Sequence, residues 1–306
     1  MIILDTVSQA KDAVSQAKLA SLFAIAVPLL AQTAHMSPTD IPKLPSQPPL
    51  AKVAYGPAPQ QFAELRLPAG KGPFPVVVLF HGGCYGDYAS ADYTAPMASA
   101  LLKEGWATWN LEYRREQEPG GGWPGTFLDA GHGVDALRDA TAKYPLNLDR
   151  VVLMGHSAGG QLALWVAARK RVPRGSEVHM ENPLPVRGAV ALAGIVDMRA
   201  FAEYGREPCG ERHIRVMGGM PGQQPARYAA VSPAELLPLG IPQVLIWGSE
   251  DNVVPQSLFT EYERRARAAH DHIETITIDG NSHHDLCVPE GSGWSRIVAA
   301  LRRTLS

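Results

Sequence analysis

One serine stands in a sequence context that would make it a nucleophile. The pentapeptide GHSAG centred on Ser157 follows a short apolar run at 151–154 and leads into QLALWVAAR, a pattern typical of a helix. A serine at a sharp strand-to-helix turn adopts a strained backbone conformation that exposes its hydroxyl, and its close neighbours must be small. The helix that follows directs its amino end at this hydroxyl and favours developing negative charge. We therefore predict that Ser157 is the nucleophile of an acyl-transfer reaction.

A serine hydroxyl is a poor nucleophile at neutral pH, so Ser157 needs a histidine as general base and a carboxylate that orients this histidine. After a turn of this kind the chain order is serine, acid, histidine, and each partner follows a later strand. The loop GSEDNVVP offers Asp251 as the acid, with Glu250 as the alternative. The loop GNSHHD offers two adjacent histidines as the base; the spacing to Gly280 favours His283, and His284 would then flank the pocket.

The tetrahedral intermediate of acyl transfer needs two backbone N–H donors, one from the residue after the serine and one from an earlier loop. Ala158 follows the serine, and the segment HGGC at 81–84 comes directly after an apolar run. We predict that Ala158 and Gly83 form the oxyanion hole, with Cys84 as a further donor of the earlier loop. His81 is expected to hold this loop by a side-chain hydrogen bond.

Strand and helix patterns alternate along the chain, and the strand candidates are apolar runs of the kind buried on both faces of a parallel sheet. The strand candidates lie at 74–80, 107–113, 151–154, 186–195, 244–247 and 273–278. The helix candidates lie at 129–143, 158–169, 256–270 and 294–305. This alternation predicts an α/β fold with a mainly parallel sheet and helices on both faces. The last strand candidate alternates in polarity, which suits the edge of the sheet.

The chain divides into three parts by composition. Residues 1–34 contain the apolar run LASLFAIAVPLLA, which has the length of a signal-peptide core, follows lysines and precedes small residues. We expect an exported protein, periplasmic or secreted, and the alternative is an ordinary amphipathic helix. Residues 35–60 are rich in proline and are expected to form an extended linker. Residues 61–306 are expected to form the α/β domain, with 197–232 inserted as a short cap over the site.

The composition excludes several classes of protein. The 306 residues carry a formal net charge of −2 and are 45% hydrophobic, which argues against a nucleic-acid binder and against a disordered chain. Three cysteines without a CxxC pair make neither a disulfide-rich scaffold nor a typical zinc motif. The apolar run near the amino terminus is short for a membrane span, which needs about 20 residues. We expect a small-molecule substrate, no metal, no cofactor and no nucleic acid, and we make no prediction of the oligomeric state.

Taken together, the HGG segment, the GHSAG turn, Asp251 with its following Val-Pro pair, and the G-x-x-H sequence ending at His283 resemble the α/β-hydrolase superfamily over residues 60–306. The HGG segment and the stretch EYRR at 112–115 are similar to its esterase/lipase and kynurenine-formamidase-like branch. The resemblance implies an α/β-hydrolase fold with a short cap. It also implies a structural role for Arg114, which would pair with Asp129 or a nearby carboxylate.

The chain departs from that branch in two places. Cys84 and Tyr85 stand where arylformamidases show an aromatic pair ending in tryptophan, and His284 replaces an apolar or aromatic residue after the histidine base. Both departures weaken any transfer of a substrate from the family.

We predict a serine hydrolase that cleaves carboxylic esters through an acyl-enzyme intermediate. The alternatives are an amidase of the arylformamidase type with the same triad, a peptidase, and a non-catalytic binding protein. A peptidase of the prolyl-oligopeptidase type carries a large propeller, which about 60 residues before the domain cannot build. A binding protein of this fold commonly lacks a triad member, whereas this chain offers all three.

Several other side chains are candidates for the substrate pocket. The pocket candidates are Tyr85, Trp123, His156, Met217 and His284. The cap segment carries basic residues that would either bind an anionic substrate group or lie solvated on the surface: Arg206, Arg212, His213 and Arg215. In an exported protein, Cys209 and Cys287 would form a disulfide between the cap and the base loop, and the alternative is two reduced thiols.

Overall fold

A single mixed sheet organises the residues that the computed structural model describes, which are 35–204 and 209–305. Its strands are β1 (Ala51–Ala54), β2 (Phe62–Arg66), β3 (Phe74–Phe80), β4 (Ala107–Leu111), β5 (Leu146–His156), β6 (Gly188–Leu192), β7 (Gln243–Gly248) and β8 (Ile273–Ile278). The eight strands lie in the order β1-β2-β4-β3-β5-β6-β7-β8. Strand β2 pairs antiparallel with β1 and β4, and every other pair is parallel. The predicted α/β fold with a mainly parallel sheet is confirmed.

The helices fall mostly in the crossovers between parallel strands. They are α1 (Ala95–Lys103), α2 (Gly125–Asp135), α3 (Leu137–Ala140), α4 (Ala158–Ala167), α5 (Met198–Tyr204), α6 (Arg212–Arg215), α7 (Pro225–Val231), α8 (Gln256–Ala268) and α9 (Trp294–Arg303). Single 3₁₀ turns lie at Ile41–Lys43, Ala91–Tyr93, Arg169–Arg171, Pro233–Glu235 and Asp285–Cys287. The cap segment therefore holds the short helices α5, α6 and α7 between β6 and β7.

Both faces of the sheet are covered, as strand β3 illustrates. Val76, Val78 and Phe80 belong to one buried cluster with side chains of α2, α4 and α8. Val77 and Leu79, which alternate with them, belong to a second cluster with side chains of α1 and α9. Successive side chains of a strand point to opposite faces, so a strand covered on both faces must be apolar throughout. Strand β8, which alternates in sequence, lies at the edge of the sheet as predicted.

The expectation that residues 35–60 form a linker is wrong. The segment contains the 3₁₀ turn and the strand β1, and Ile41 within that turn is fully buried. The hydroxyl of Tyr55 donates to the carbonyl oxygen of Glu112 at 2.7 Å. The prolines are compatible with this structure because proline is tolerated within the first turn of a helix, where Pro42 lies here, and near edge strands.

The expected pairing of Cys209 with Cys287 is also wrong. Cys209 is bonded to Cys84, with 5.5 Å between their Cα atoms, and Cys287 is a buried thiol. The reason is that Cys84 and Cys209 pack in the cluster on one face of the sheet, whereas Cys287 packs in the cluster on the other. Burial raises the pKa of the Cys287 thiol to about 12, which keeps it protonated. The cap is thus tied to the HGGC loop and not to the base loop.

Asp129 of α2 anchors the chain that follows β4. Its carboxylate accepts hydrogen bonds from Arg114 through Nε at 2.7 Å, Nη2 at 2.8 Å and the backbone N–H at 3.0 Å. It also accepts the side-chain amide of Gln61 at 2.7 Å, and it is fully buried. The pairing that the family resemblance implied for Arg114 is confirmed.

Replacing Asp129 by asparagine should lower the free energy of unfolding by about 3 kcal/mol, because it leaves the largely buried Arg114 guanidinium without its counter-ion. Urea unfolding measures this difference. The matched control is Glu261→Gln, which breaks an exposed pair with Arg264 and should leave the free energy of unfolding nearly unchanged. Equal losses in the two variants would contradict the anchoring role of Asp129.

Candidate active site

Ser157 occupies a strained turn between β5 and α4. Its backbone has φ 56° and ψ −121°, a left-handed conformation that costs a residue with a side chain on the order of 1–3 kcal/mol. The turn closes only because its neighbours are glycines: a Cβ on Gly155 would collide with the carbonyl oxygen of Gly159, and a Cβ on Gly159 would collide with that of Phe80. The N–H of Ser157 donates to the carbonyl oxygen of Leu192 at 2.8 Å, which attaches the turn to β6.

His283 and Asp251 form a hydrogen-bonded pair in the loops after β8 and β7. The ring Nδ1 of His283 donates to Oδ2 of Asp251 at 2.8 Å, and the backbone N–H groups of Val253 and Val254 donate to Oδ1 at 2.8 and 3.0 Å. Burial acts to raise the pKa of Asp251, but these hydrogen bonds and the His283 ring outweigh it, and the pKa lies below its usual value. With the proton of His283 on Nδ1, Nε2 is the nitrogen that can accept a proton.

Ser157 and His283 face the same cavity, whose volume is about 470 Å³. Glu250, the alternative acid, lies beside Asp251 but is exposed and bonded to His35, so its carboxylate belongs to a different contact. Away from the serine, the cavity that Ser157 and His283 face is lined mainly by apolar and aromatic residues: Pro38, Pro42, Tyr88, Ala89, Tyr93 and Val253. The arrangement offers a hydroxyl and a histidine to a substrate bound in this cavity.

The HGGC loop follows β3 and borders this cavity through Gly83 and Cys84. Three successive residues have positive φ, namely Gly83 at 103°, Cys84 at 50° and Tyr85 at 61°, which folds the loop back sharply. A Cβ on Gly82 would lie 3.3 Å from the Cβ of Ser157, so the loop passes directly beside the serine. Ala158 is fully buried as the first residue of α4, where backbone N–H groups lack partners within the helix.

His81 lies beneath the loop and away from the cavity. Its ring stacks on Tyr113 at 4.2 Å between centroids, and its Nε2 lies 3.1 Å from Oε1 of Glu112. Burial acts to raise the pKa of Glu112, but the opposing effects of the His81 ring and Arg115 are larger, so the pKa lies below its usual value. Glu112 also accepts the N–H of Ala91 at 2.9 Å, so this carboxylate joins the loop to the 3₁₀ turn after it.

Two further histidines and a tyrosine surround His283. Nε2 of His156 donates to the carbonyl oxygen of His283 at 2.9 Å. The hydroxyl of Tyr93 lies 3.1 Å from Nδ1 of His156 and 3.0 Å from Nδ1 of His284. Burial, with the nearby rings of His283 and His284, holds the pKa of His156 well below its usual value. Burial and His283 lower the pKa of His284 to about 4, so both neighbours are neutral at neutral pH.

The three imidazoles are also the residues that could hold a metal ion, since their donor atoms lie within 4.8 Å of one another. In His156, however, both ring nitrogens have hydrogen-bond partners, and in His283 Nδ1 is engaged by Asp251. The cluster is accounted for by these hydrogen bonds.

Three predicted pocket residues do not line the cavity. Tyr85 is buried and donates its hydroxyl to Gln161 at 2.9 Å, Trp123 donates its indole N–H to Glu177 at 2.7 Å, and Met217 is packed in the core. Tyr85 and Met217 are part of the core and Trp123 packs against it, and a linear sequence does not distinguish such positions from positions in the cavity wall. His156 and His284 do line the cavity.

The basic residues of the cap do not form an anion site at the cavity. Arg215 pairs with Glu116, and Arg212 lies over the ring of Tyr88 at 5.2 Å. His213 is buried beside the ring of Phe201. Arg206 lies outside the described residues. No described residue of 197–232 lines the cavity, so the cap reaches it only through Cys84 and Tyr88.

Sequence reasoning missed two parts of the cavity wall. The loop after HGGC contributes Tyr88, Ser90, Asp92 and Tyr93, and the segment before β1 contributes Pro38, Thr39 and Pro42. The cluster of aromatic and acidic residues just after HGGC was a usable signal for the first part. The second had none, because a proline-rich segment far from the motifs in sequence reads as a linker.

Comparison with curated proteins identifies two esterase relatives from Mycobacterium tuberculosis. The chain is 26% identical to the probable carboxylic ester hydrolase LipM over 126 aligned residues. This alignment covers 41% of this chain and 29% of LipM. The chain is also 21% identical to the esterase LipQ over 211 aligned residues. This second alignment covers 69% of this chain and 50% of LipQ. The chain thus spans half the length of these relatives or less.

Solved structures share the fold at low sequence identity. A truncated carbohydrate esterase from gut microbiota superposes with a TM-score of 0.70 at 19% identity, covering 83% of this chain and 95% of that one. Esterase B from Lactobacillus rhamnosis superposes with a TM-score of 0.72 at 19% identity, covering 86% and 89%. The model of the BD-FAE family matches residues 64–263, which is more than half of the chain. The chain therefore belongs to the BD-FAE family, a family of α/β-hydrolase esterases.

Proposed function

We propose that this protein is a serine esterase that hydrolyses carboxylic esters with Ser157 as nucleophile, His283 as general base and Asp251 as the acid that orients the base. The observation that carries the proposal is that the strained serine and the Asp251–His283 pair meet at one cavity of about 470 Å³. Membership of an esterase family and the two curated esterase relatives support ester cleavage over amide cleavage.

In the first half of the proposed reaction, Oγ of Ser157 attacks the ester carbonyl carbon while Nε2 of His283 takes the hydroxyl proton. Negative charge develops on the carbonyl oxygen, and the N–H groups of Gly83, Cys84 and Ala158 are the donors proposed to stabilise it. Asp251 remains a carboxylate because its pKa is lowered, and it stabilises the imidazolium. The tetrahedral intermediate then collapses, and the alcohol leaves with the proton from His283.

In the second half, water attacks the acyl-enzyme and gives its proton to Nε2 of His283. Collapse of the second intermediate releases the carboxylic acid and returns the proton to Ser157. The neutral rings of His156 and His284 favour this cycle, since a charged neighbour would oppose the imidazolium that His283 becomes.

Replacing Ser157 by alanine should reduce kcat/KM for p-nitrophenyl acetate by at least about 10³-fold, because the covalent route is lost. The exposed Ser295→Ala of α9 is the matched control and should retain wild-type rates. A fluorophosphonate should add to the Ser157 peptide of the wild type and of the control, as read by mass spectrometry. Ester hydrolysis by Ser157→Ala at the wild-type rate would disprove the proposal, and faster turnover of N-formylkynurenine than of esters would favour an amidase.

The acid limb of the kcat/KM profile should follow a single ionisation. The base acts when unprotonated, so the rate falls as pH decreases. The pKa of His156 lies well below its usual value and the pKa of His284 is about 4, so both rings stay neutral over this range. On its acid limb, a plot of log kcat/KM against pH should therefore have a limiting slope of one down to about pH 5, and the plot should level off at higher pH. The exposed His272→Gln should not change this profile. A limiting slope of two in that range would contradict the neutrality of the neighbouring histidines.

We also propose that the protein is exported to the periplasm or secreted. The Cys84–Cys209 disulfide supports export, because such bonds persist in oxidising compartments and are rare in a reducing cytosol. The apolar run at 19–31 lies outside the described residues. Within the part of the chain that the structure describes, no helix is long and apolar enough to cross a membrane.

Fractionation of cells that express the full chain should place it in the periplasm or medium with a shortened amino terminus. Digestion without reductant should yield the Cys84 and Cys209 peptides linked, with Cys287 alkylated only after denaturation. In the control Cys209→Ser, Cys84 should become accessible to alkylation. An intact chain in the cytosol with three reduced cysteines would overturn the export proposal.

A further inference from the structure

The segment at 35–44, here called the amino-terminal strap, is bound to the two loops that carry the proposed acid and base. The ring of His35 bonds through Nδ1 to Oδ2 of Asp285 at 2.6 Å and through Nε2 to Oε2 of Glu250 at 2.9 Å. The backbone N–H of Met36 donates to the other oxygen of Asp285 at 2.7 Å. One imidazole thus bridges two carboxylates that lie 35 positions apart in the chain.

These two carboxylates stand next to the reaction centre in sequence. Glu250 immediately precedes Asp251, and Asp285 comes two residues after His283. Asp285 also accepts the N–H of Ser282 at 2.7 Å, which fixes the base loop from its other side. The bridge from His35 is therefore a connection between the acid loop and the base loop.

Both ring nitrogens of His35 face carboxylate oxygens, and a carboxylate can only accept, so each nitrogen carries a hydrogen and the ring is positively charged. The hydrogen bonds to Asp285 and then to Glu250 raise the pKa of His35 above its usual value, which agrees with this charge state. The strap is held at this end by charge-assisted hydrogen bonds.

The other end of the strap is held by apolar packing. Ile41 is fully buried in the cluster that contains Tyr93 and Met97. Between these two attachments, Pro38, Thr39 and Pro42 line the same cavity as Ser157 and His283. Two of these three wall residues are prolines, whose fixed φ restricts the movement of the wall.

We propose that the amino-terminal strap determines the size of the substrate group that the cavity admits, with Pro38, Thr39 and Pro42 as the wall and His35 as the residue that holds the wall in place. The proposal rests on the proposed esterase function. The strap lies outside residues 64–263, the part of the chain that matches the family model, so this wall is a feature that the match does not supply.

Thr39→Trp tests the wall by placing a larger side chain where the strap lines the cavity. His35→Ala tests the attachment by removing the hydrogen bonds from the strap to Glu250 and Asp285. The measured quantity is the ratio of kcat/KM for p-nitrophenyl octanoate to that for p-nitrophenyl acetate. Thr39→Trp should lower this ratio by about tenfold or more, mainly by raising KM for the longer ester. The reason is that loss of pocket volume for even one methylene group of a substrate can change kcat/KM by about tenfold or more. His35→Ala should shift the ratio by about threefold or more toward the longer ester, because the released wall yields to it.

Lys43→Ala is the matched control within the strap. Lys43 is exposed, and its ammonium pairs with Asp40 of the same segment rather than with the acid or base loop. Its ratio should equal that of the wild type. Thermal unfolding and fluorophosphonate labelling of Ser157 report whether each variant is folded with its nucleophile intact.

The outcomes separate the two proposals. Unchanged ratios in both Thr39→Trp and His35→Ala, with Ser157 labelled and ester turnover retained, would overturn the role of the strap and leave the esterase function standing. An equal loss for both esters in kcat alone would overturn it as well, because that result describes a general disturbance of the site. A wild-type protein without Ser157-dependent ester turnover would overturn both proposals.

Discussion

The close approach of backbone at the end of β5 is the constraint on which the site depends. Ser157 has φ 56°, and the turn around it closes because Gly155 and Gly159 leave room for carbonyl oxygens of neighbouring segments. A Cβ at Gly155 would force α4 away from β5, and a Cβ at Gly159 would force α4 away from the end of β3. This packing presses α4 onto the sheet and leaves the serine hydroxyl beside the HGGC loop, so the position of the proposed nucleophile follows from backbone contact.

The parallel strands bring the remaining groups to the same edge. Asp251 follows β7 and His283 follows β8, and these strands pair in register beside β6, which itself holds the backbone of Ser157 through Leu192. The local electrostatics are consistent with the proposed chemistry. Asp251 is kept ionised by its hydrogen bonds, and the burial that keeps His156 and His284 neutral removes two positive charges that would otherwise compete with His283.

Around this centre, two distant segments are attached by different kinds of bond. The cap is attached covalently, through Cys209 to Cys84 of the HGGC loop. The amino-terminal strap is attached by charge, through His35 to Glu250 and Asp285. The loops of the proposed site thus contact two peripheral segments, and of these two only the strap places described side chains directly in the cavity. The shape of the cavity therefore depends on segments that lie outside the central strands.

The sequence by itself determined the class of fold, six of the eight sheet-forming segments and the candidate serine, acid and base, whereas β1 and β2 were missed. These depend on local patterns, since apolar runs mark buried strands and a small-residue turn around a serine can be recognised within five positions. It also indicated the contact between Arg114 and Asp129 through family resemblance. Only the tertiary structure decided that Cys209 bonds to Cys84, that residues 35–60 belong to the fold, that Tyr85 and Met217 lie in the core, and that Trp123 packs against the core away from the cavity. The physical reason is that these outcomes depend on which face of the sheet a loop covers, and this is set by packing between segments far apart in the chain.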